Sequence, residues 1–259
     1  MNIDVYEQIH AALEGIDDVP ILSEHFLEPV GVIDSILNQK VVESVKRNFP
    51  RVKKKGRYHL KMWKKGRTIM DIAIKNGLPA TLMVTILLKE MEIPKKSFLR
   101  NIDEHPNKRL RNEVKAAIEN DYFFSPRAHN SHAEKGNMGE EILDIWLRYR
   151  EVPFMTENEL RDAGESKTPD FLLTEPMIID ETEIFWIESK ALFGDAKEHQ
   201  YYTKKQFSDY EENYGTGMIV YWYGFIDDIS LNGNLIKDYK FFGKEVDMLD
   251  ELMNYVVHW

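Results

Sequence analysis

Residues 167–195 read KTPDFLLTEPMIIDETEIFWIESKALFGD. The apolar runs Phe171-Leu172-Leu173 and Ile184-Phe185-Trp186-Ile187 predict two short strands. Each strand carries charge at one end. Asp170 follows Pro169 and opens the first run, while Glu188 and Lys190 close the second. Side chains alternate along a strand, so Ile184, Trp186, Glu188 and Lys190 share a face, with the last two about 6.5–7 Å apart along it. An exposed polar strand end would account for Glu188 and Lys190 alone. Asp170 strains that account, because pairing the strands would gather two carboxylates and an ammonium. Two carboxylates raise each other's pKa unless a cation lies between them. A hard divalent ion such as Mg²⁺ suits them, taking carboxylate, backbone carbonyl and water oxygens. Such an ion lowers the pKa of a bound water and holds a phosphate, and a neighbouring lysine orients or deprotonates that water. The residue types and spacing suit phosphodiester hydrolysis.

Outward from this stretch, VPFM before it and GMIVYWYGF after it predict further strands. A helix is expected near 197–213 and another over MGEEILDIWLRYR, which together indicate an α/β domain. The aromatics of MIVYWYGF read as core before they read as stacking platforms. The polar, irregular segment NDYFFSPRAHNSHAEKGN (120–137) is the expected boundary. It divides a helical region, 1–120, from an α/β domain, 121–259.

The helical region has apolar residues at three- and four-residue spacings over 4–14 and 29–48. TIMDIAIKNGLPATLMVTILLKEM (68–91) has the form helix, tight turn, helix. Gly77 can take the positive φ that ends the first helix, and Pro79 suits the start of the second. Ile69, Ile72 and Ala73 would face Leu82, Ile86 and Leu87. The pattern predicts a helix-turn-helix whose second helix enters a major groove, although any helical hairpin with a glycine corner matches it.

The 259 residues carry a net charge of −10, which hides an asymmetry. Residues 1–39 contain no Lys or Arg, whereas residues 40–67 contain twelve and a single acid. Within this stretch Lys53, Lys54, Lys55, Arg57, Lys61, Lys64, Lys65 and Arg67 are candidate phosphate contacts, interleaved with Tyr58, His59 and Trp63. A second basic stretch is PNKRLRNEVK, 106–115. The competing account of a charge run is a solvated helix face. Cysteine is absent, which excludes disulfides, thiolate zinc sites and cysteine nucleophiles and fits a reducing compartment. The N-terminus lacks signal-peptide character and no run is long enough to span a membrane. A cytoplasmic protein is expected, nuclear in a eukaryote, with no membrane partner. No Walker loop, zinc-binding His-Glu-x-x-His or Gly-x-Ser-x-Gly elbow appears.

Pro169-Asp170 with Glu188-Ser189-Lys190 resembles the PD-(D/E)XK nuclease superfamily. The strings KTPDF, WIESKALFGD, QFSDY and YWYGF resemble more closely its TPD-motif, codanin-interacting nuclease-like family, most densely over 135–225. The resemblance implies a restriction-endonuclease-like core, a mixed sheet flanked by helices, preceded by a helical helix-turn-helix region. It implies a Mg²⁺- or Mn²⁺-dependent phosphodiesterase with one or two ions per site, acting on DNA. The superfamily places a glutamate on the helix before the sheet, often four residues after a glycine. Gly136 and Glu140 fit, with Glu141 a competitor and Glu134 a weaker one, although an acidic first turn of a helix explains GEE equally well. By the same resemblance Asp170, Glu188, Glu140 and the Ser189 carbonyl hold metal and Lys190 orients water. Gln206 is assigned a catalytic role and Tyr210, four residues on, a nucleic-acid contact; a solvated Gln and a packed Tyr are the alternative. Asp195 and His199 are weaker candidates, and Asp195 also reads as a helix cap. Dimers are common among similar nucleases, and the resemblance implies a homodimer and a protein partner as expectations. The alternative function is a nucleic-acid-binding or adaptor protein with a catalytically silent nuclease fold.

Overall fold

The computed structural model describes residues 1–229 and 233–242. The chain forms two compact units. One comprises residues 1–37 with the described residues from 133 onward, and the other residues 38–132. The first 37 residues therefore belong with the α/β part rather than with the helical region. Among the described residues the α-helices are α1 (Ile3–Ala12), α2 (Asp18–Phe26), α3 (Val30–Lys53), α4 (Gly56–Lys64), α5 (Ile69–Lys75), α6 (Ala80–Glu90), α7 (Lys95–Arg100), α8 (Lys108–Glu119), α9 (Pro126–Tyr149), α10 (Glu157–Asp162), α11 (Ala196–Tyr202), α12 (Ser208–Tyr214) and α13 (Tyr239–Phe242). Among the described residues no single helix is long and apolar enough to cross a membrane.

The irregular boundary expected over 120–137 is replaced from Pro126 onward by the first half of α9, a continuous 24-residue helix. Pro126 suits the first turn of a helix, where its missing N–H costs nothing. The Ser125 hydroxyl accepts from the Ala128 N–H at 3.2 Å and caps that turn. The polar residues that suggested a loop are the exposed face of this helix. The division between the units falls inside α9, after His132, and inside α3, after Leu37.

The α/β unit is built on a five-stranded mixed sheet in the order β1-β2-β3-β4-β5. Its strands are β1 (Phe154–Thr156), β2 (Phe171–Ile179), β3 (Thr182–Lys190), β4 (Gly217–Tyr221) and β5 (Leu235–Asp238). β1, β2 and β3 pair antiparallel, whereas β4 runs parallel to both β3 and β5. Residues 171–190 form a hairpin longer than the two predicted strands. Its register runs from Phe171↔Ile187 to Ile179↔Thr182, closed by Asp180-Glu181. Both turn residues have positive φ, 46° and 64°, which matches the strand twist in a two-residue hairpin. No glycine marks that turn in the sequence. Between Leu172↔Trp186 and Met177↔Ile184 the four residues 173–176 stand opposite Phe185 alone. Pro176 falls in this bulge, where a missing N–H breaks no ladder. The parallel step from β3 to β4 requires a crossover, and α11 and α12 supply it, joined by a π-helical turn at Thr203–Phe207. Trp146, Trp186, Trp222, Phe193 and Phe207 are fully buried among these elements.

In the other unit, α5 and α6 meet at 112° through the expected corner. Thr68 and Asp71 form a capping box at the start of α5. Gly77 has φ +60°, and the Gly77 and Leu78 N–H groups bond back to Ile74 and Ala73, closing the helix in a Schellman arrangement. Ile69, Ile72, Ala73, Ile86 and Leu87 are buried in one core with Val52, Trp63, Leu110 and Val114. The Asp121 carboxylate accepts from the Thr81 N–H at 3.0 Å, an acid at the N-terminus of α6. Yet α6 does not look like a groove reader. Ala80, Thr81, Met83, Val84, Ile86, Leu87 and Leu88 are all buried, and Lys89 is its one fully exposed side chain. It is the central helix of its unit and lacks a polar face to offer base edges.

Gly139 on α9 governs how closely that helix approaches the sheet. A Cβ there would lie 2.3 Å from the Trp222 Nε1 and 2.9 Å from the Ser189 Oγ, whereas one on Gly136 would meet nothing within 4 Å. Gly139→Ala is expected to cost about 1–3 kcal/mol through overpacking. Gly136→Ala should be neutral or stabilise by up to about 1 kcal/mol, from helix propensity. Urea unfolding of the two variants compares them directly.

Candidate active site

The site forms where the TPD loop, Thr168-Pro169-Asp170, meets the end of β3. Two hydrogen bonds run in opposite directions between them. The Asp170 Oδ2 accepts from the Ser189 N–H at 2.7 Å, and the Glu188 Oε2 accepts from the Asp170 N–H at 3.2 Å. Glu188 thus holds the backbone of Asp170, and Asp170 holds the backbone of Ser189, the residue after Glu188. The second Glu188 oxygen, Oε1, is paired with the Lys190 ammonium. Strand alternation set Glu188 and Lys190 on one face, and their side chains meet there. The Glu188 side chain is only 2% exposed and that of Lys190 13%. The Lys190 ammonium also stands 4.8 Å from the centre of the Tyr202 ring, a cation–π contact. The Ser189 Oγ accepts from the Trp222 Nε1 at 2.8 Å, which ties β3 to the chain after β4.

Glu140 comes from α9 and its charge reaches the same cluster. The residue is exposed, yet partial desolvation of its carboxyl raises it to about 7, Asp170 and Glu157 add to the rise, and Lys190 opposes it. Burial likewise raises Glu188 to about 7, with Asp170 adding and Lys190 and the Asp170 N–H opposing. Asp170 is raised by burial against the pull of Lys190 and the Ser189 N–H. For Lys190 burial acts downward, but Glu188 and Asp170 outweigh it and hold the ammonium above its ordinary range. Three carboxylates face one ammonium, so two negative charges are uncompensated when all are ionised. Every donor in the set is a hard oxygen, the kind Mg²⁺ and Mn²⁺ prefer. Among the described residues, however, no three Asp, Glu or His side chains converge closely enough to hold an ion as they stand.

The remaining candidates divide. The π-helical turn sets Gln206 beside Tyr210, and π-turns inside helices recur at functional positions. The Gln206 Nε2 donates to the Tyr210 hydroxyl at 3.3 Å, which donates to the Thr168 carbonyl at 2.9 Å. Tyr210 is only 3% exposed, so it braces the TPD loop from beneath and offers no surface to a nucleic acid. Burial, with Glu188 and Asp170 behind it, holds its phenol far above the ordinary range. The Gln206 Oε1 is buried with no partner. Asp195 caps α11, accepting from the Lys197 and Glu198 N–H groups at 2.7 and 2.8 Å. His199 is buried and its Nδ1 shares a hydrogen bond of 3.1 Å with the Tyr221 hydroxyl. Glu134, Glu140 and Glu141 are all exposed on α9, so exposure does not separate them; only Glu140 has its carboxyl drawn into the electrostatics of the cluster. Thr168, Gly139, Tyr202 and Trp222 complete the site, and sequence reasoning had given none of them a role. The adjacency of Gly139 to Glu140 was the available signal.

Residues 106–240, just over half of the chain, match the family described as "Protein of unknown function TPD sequence-motif". The chain belongs to the TPD family. It is 39% identical over 145 residues to the "CDAN1-interacting nuclease 1" of Xenopus laevis, covering 55% of this chain and 48% of that protein. The human protein of the same name is 34% identical over 174 residues, 63% of this chain and 62% of its own length. An uncharacterized protein, L539, of Acanthamoeba polyphaga mimivirus is 31% identical over 115 residues, 38% of each chain. The chain therefore spans about half to three fifths of the animal relatives' length. No solved structure matches it.

In this TPD-family chain the other unit carries the basic residues. Lys53, Lys54, Lys55, Arg57, Lys61, Lys64, Lys65 and Arg67 are all exposed, on the end of α3, on α4 and on the turn into α5. None of the eight is in an ion pair among the described residues. Of the interleaved aromatics Tyr58 faces solvent, while His59 and Trp63 are buried. The second basic stretch is largely consumed by structure. Arg109 pairs with Glu113, donates to the Trp63 and Arg67 carbonyls at 3.0 and 2.8 Å and stacks on Trp63 at 4.7 Å. Arg111 donates to the His105 carbonyl, and Lys115 pairs with Asp103.

Glu140 and Glu188 bind a proton more tightly in the folded chain, near pH 7, than at the ordinary 4.5. Their contribution to stability is complete below about pH 4.5 and is lost as pH rises through about 7. Lys190→Met removes the cation that compensates them. Its cost should be about 3–5 kcal/mol at alkaline pH, as for breaking a buried pair, and much smaller in acid, where the carboxyls are protonated. Urea unfolding in chelator at both pH values measures the difference. An equal cost would deny Lys190 that role.

Proposed function

We propose that this TPD-family chain is a divalent-metal-dependent nuclease of the PD-(D/E)XK type, hydrolysing phosphodiester bonds in DNA. The observation that carries the reading is the reciprocal pairing of Asp170 with the end of β3, which gathers Asp170, Glu188 and Lys190 within the electrostatic reach of Glu140. The two uncompensated charges match one Mg²⁺ or Mn²⁺, and the oxygen donors suit either ion. Asp170, Glu188, Glu140 and the Ser189 carbonyl would hold one or two ions. A bound ion would activate a water and draw in the scissile phosphate. Lys190, at the edge of the buried cluster, would orient the attacking water and offset charge developing on the phosphate. Gln206 would offer its unpartnered Oε1 to a proton of that water. Tyr210 keeps the TPD loop in register through Thr168. The names of the animal relatives support this reading, and we extend a protein partner to this chain on the same basis. A homodimer would bring two such sites to one duplex.

We assign the nucleic-acid contacts to the exposed basic residues of α3 and α4 rather than to α6, whose burial argues against groove reading. The second reading is a nucleic-acid-binding or adaptor protein with a silent nuclease fold. One observation favours it: Glu188 is already engaged by Lys190, and no three ligands converge among the described residues. Metal separates the two readings. The nuclease should nick plasmid DNA in Mg²⁺ or Mn²⁺ and stop in chelator. Asp170→Asn and Lys190→Ala should each lower the rate by at least about 100-fold. A purified protein that binds DNA equally in chelator and cuts none of a panel of duplex, branched and single-stranded DNA or RNA would establish the silent fold.

For the basic face, Lys53, Lys54 and Lys55 replaced together by Ala should flatten the slope of log affinity against log salt by roughly 2–3 units on duplex DNA. The saturated cutting rate should change less than the DNA concentration needed to reach it. An unchanged slope would make these lysines a solvated face only.

A further inference from the structure

The ring that stands against the Lys190 ammonium, at 4.8 Å, belongs to Tyr202. Its neighbour Tyr201 meets it edge to face, with 5.1 Å between ring centres and 75° between ring planes. Tyr202 is half-buried, whereas Tyr201 is 53% exposed. Four residues on, the Lys205 ammonium stands 5.6 Å from the centre of the Tyr201 ring. Lys190, Tyr202, Tyr201 and Lys205 thus form one run of contacts from the buried cluster out to the surface. None of the chemistry above uses its outer half.

A single exposed tyrosine is ordinary. This one touches the ring that holds a candidate catalytic lysine, so a strand entering the site passes it. The charge around it is mainly positive. Lys197, Lys204 and Lys205 are exposed, and neither Lys204 nor Lys205 is in an ion pair among the described residues. Of the acids on the same stretch, Asp209 is paired with Lys167 at 2.6 Å, and Glu198 is half-buried. With Lys205 in place more than half of the Tyr201 surface still faces solvent, which leaves room for a flat ligand. An aromatic face beside an ammonium suits a ligand that is aromatic at one end and anionic at the other, as a nucleotide is. A base inside a duplex has both faces covered by its neighbours, so the ring is open only to an unpaired base.

We propose that Tyr201 stacks one unpaired base of the substrate strand and that Lys205 holds a phosphate beside it, next to the phosphate that is cut at Lys190. The proposal rests on the nuclease reading given above and deepens it: the preferred substrate is unpaired at the cut, as in a single strand, a flap or an overhang.

The test is equilibrium binding by fluorescence anisotropy, in chelator so that nothing is cut. The probes are a short oligothymidylate, a strand of the same length built of abasic residues, and a fully paired duplex. The parent protein should bind the thymidine strand at least about tenfold more tightly than the abasic strand, since stacking of one base supplies that much. Tyr201→Ala alters an exposed side chain and should lower that ratio about tenfold while leaving affinity for the duplex unchanged. Tyr201→Phe keeps the ring and should keep the ratio. Lys205→Gln should flatten the slope of log affinity against log salt on the single strand by about 0.7 units. A parent ratio near one overturns the proposal, as does a ratio that survives Tyr201→Ala or is lost equally in Tyr201→Phe. An unchanged salt slope overturns the part given to Lys205. The same preparations are then assayed for cutting of the thymidine strand and the duplex in Mn²⁺. The expected ratios without cutting leave the Tyr201 assignment standing and sink the nuclease reading. Cutting with a ratio near one does the reverse.

Discussion

The exchange of hydrogen bonds between the TPD loop and the end of β3 is the constraint from which the α/β unit takes its chemical character. The Asp170 carboxylate holds the Ser189 N–H, and the Glu188 carboxylate holds the Asp170 N–H. The ladder between β2 and β3 ends at Phe171↔Ile187. Beyond it the side chains take over the pairing that backbone carbonyls perform within the sheet. Two acids are thereby pinned next to each other in a place that burial makes unfavourable for both. Tyr210 reinforces the arrangement from below through the Thr168 carbonyl. Gly139 lets α9 close over Ser189, near enough for Glu140 to sense the same charges.

The cost of that arrangement is visible in the raised pKa of all three carboxyls. Lys190 offsets part of it, and its ammonium has little freedom to leave, being paired with Glu188 and stacked over Tyr202. A cluster of this kind binds protons or cations in competition, because either relieves the same excess of negative charge. Perturbed carboxyls gathered round one lysine are common at functional sites, and buried structural ion-pair networks produce them as well. The unpartnered Gln206 oxygen belongs to the same pattern, a polar atom left available inside a packed region.

In the other unit the division between structural and available charge is equally sharp. Arg109 is spent on Glu113, on two carbonyls and on the Trp63 ring, and through them it fixes the segment between α4 and α5. Lys54, Lys55, Arg57, Lys61, Lys64, Lys65 and Arg67 of the preceding stretch stand exposed, outside any ion pair among the described residues. The helical hairpin has the capping and corner expected of a helix-turn-helix, yet its second helix is enclosed by its own core. Corner geometry is a property of local dihedrals, whereas groove reading requires an exposed polar face. The two do not imply each other.

Much was legible in local sequence because the controlling physics was local. Strand alternation put Glu188 and Lys190 on one face; the apolar runs marked β2 and β3; Gly77 and Pro79 set the corner between α5 and α6. The family strings pointed to the same residues. What local pattern could not supply were the pairings between distant segments. The bulge around Pro176 and the I′-like turn at Asp180-Glu181 carry no glycine signal, so β2 looked shorter than it is. The polar face of α9 looked like a loop, because a solvated helix and a coil have similar composition. Whether Tyr210 and Arg109 would face a ligand or the interior depended on partners 42 and 46 residues away, the Thr168 and Trp63 carbonyls. The sequence by itself determined which residues could do chemistry, through their types and their periodicity. Only the tertiary structure decided which of them are free to do it, because burial and hydrogen-bond partnership are set by contacts between segments that no local period encodes.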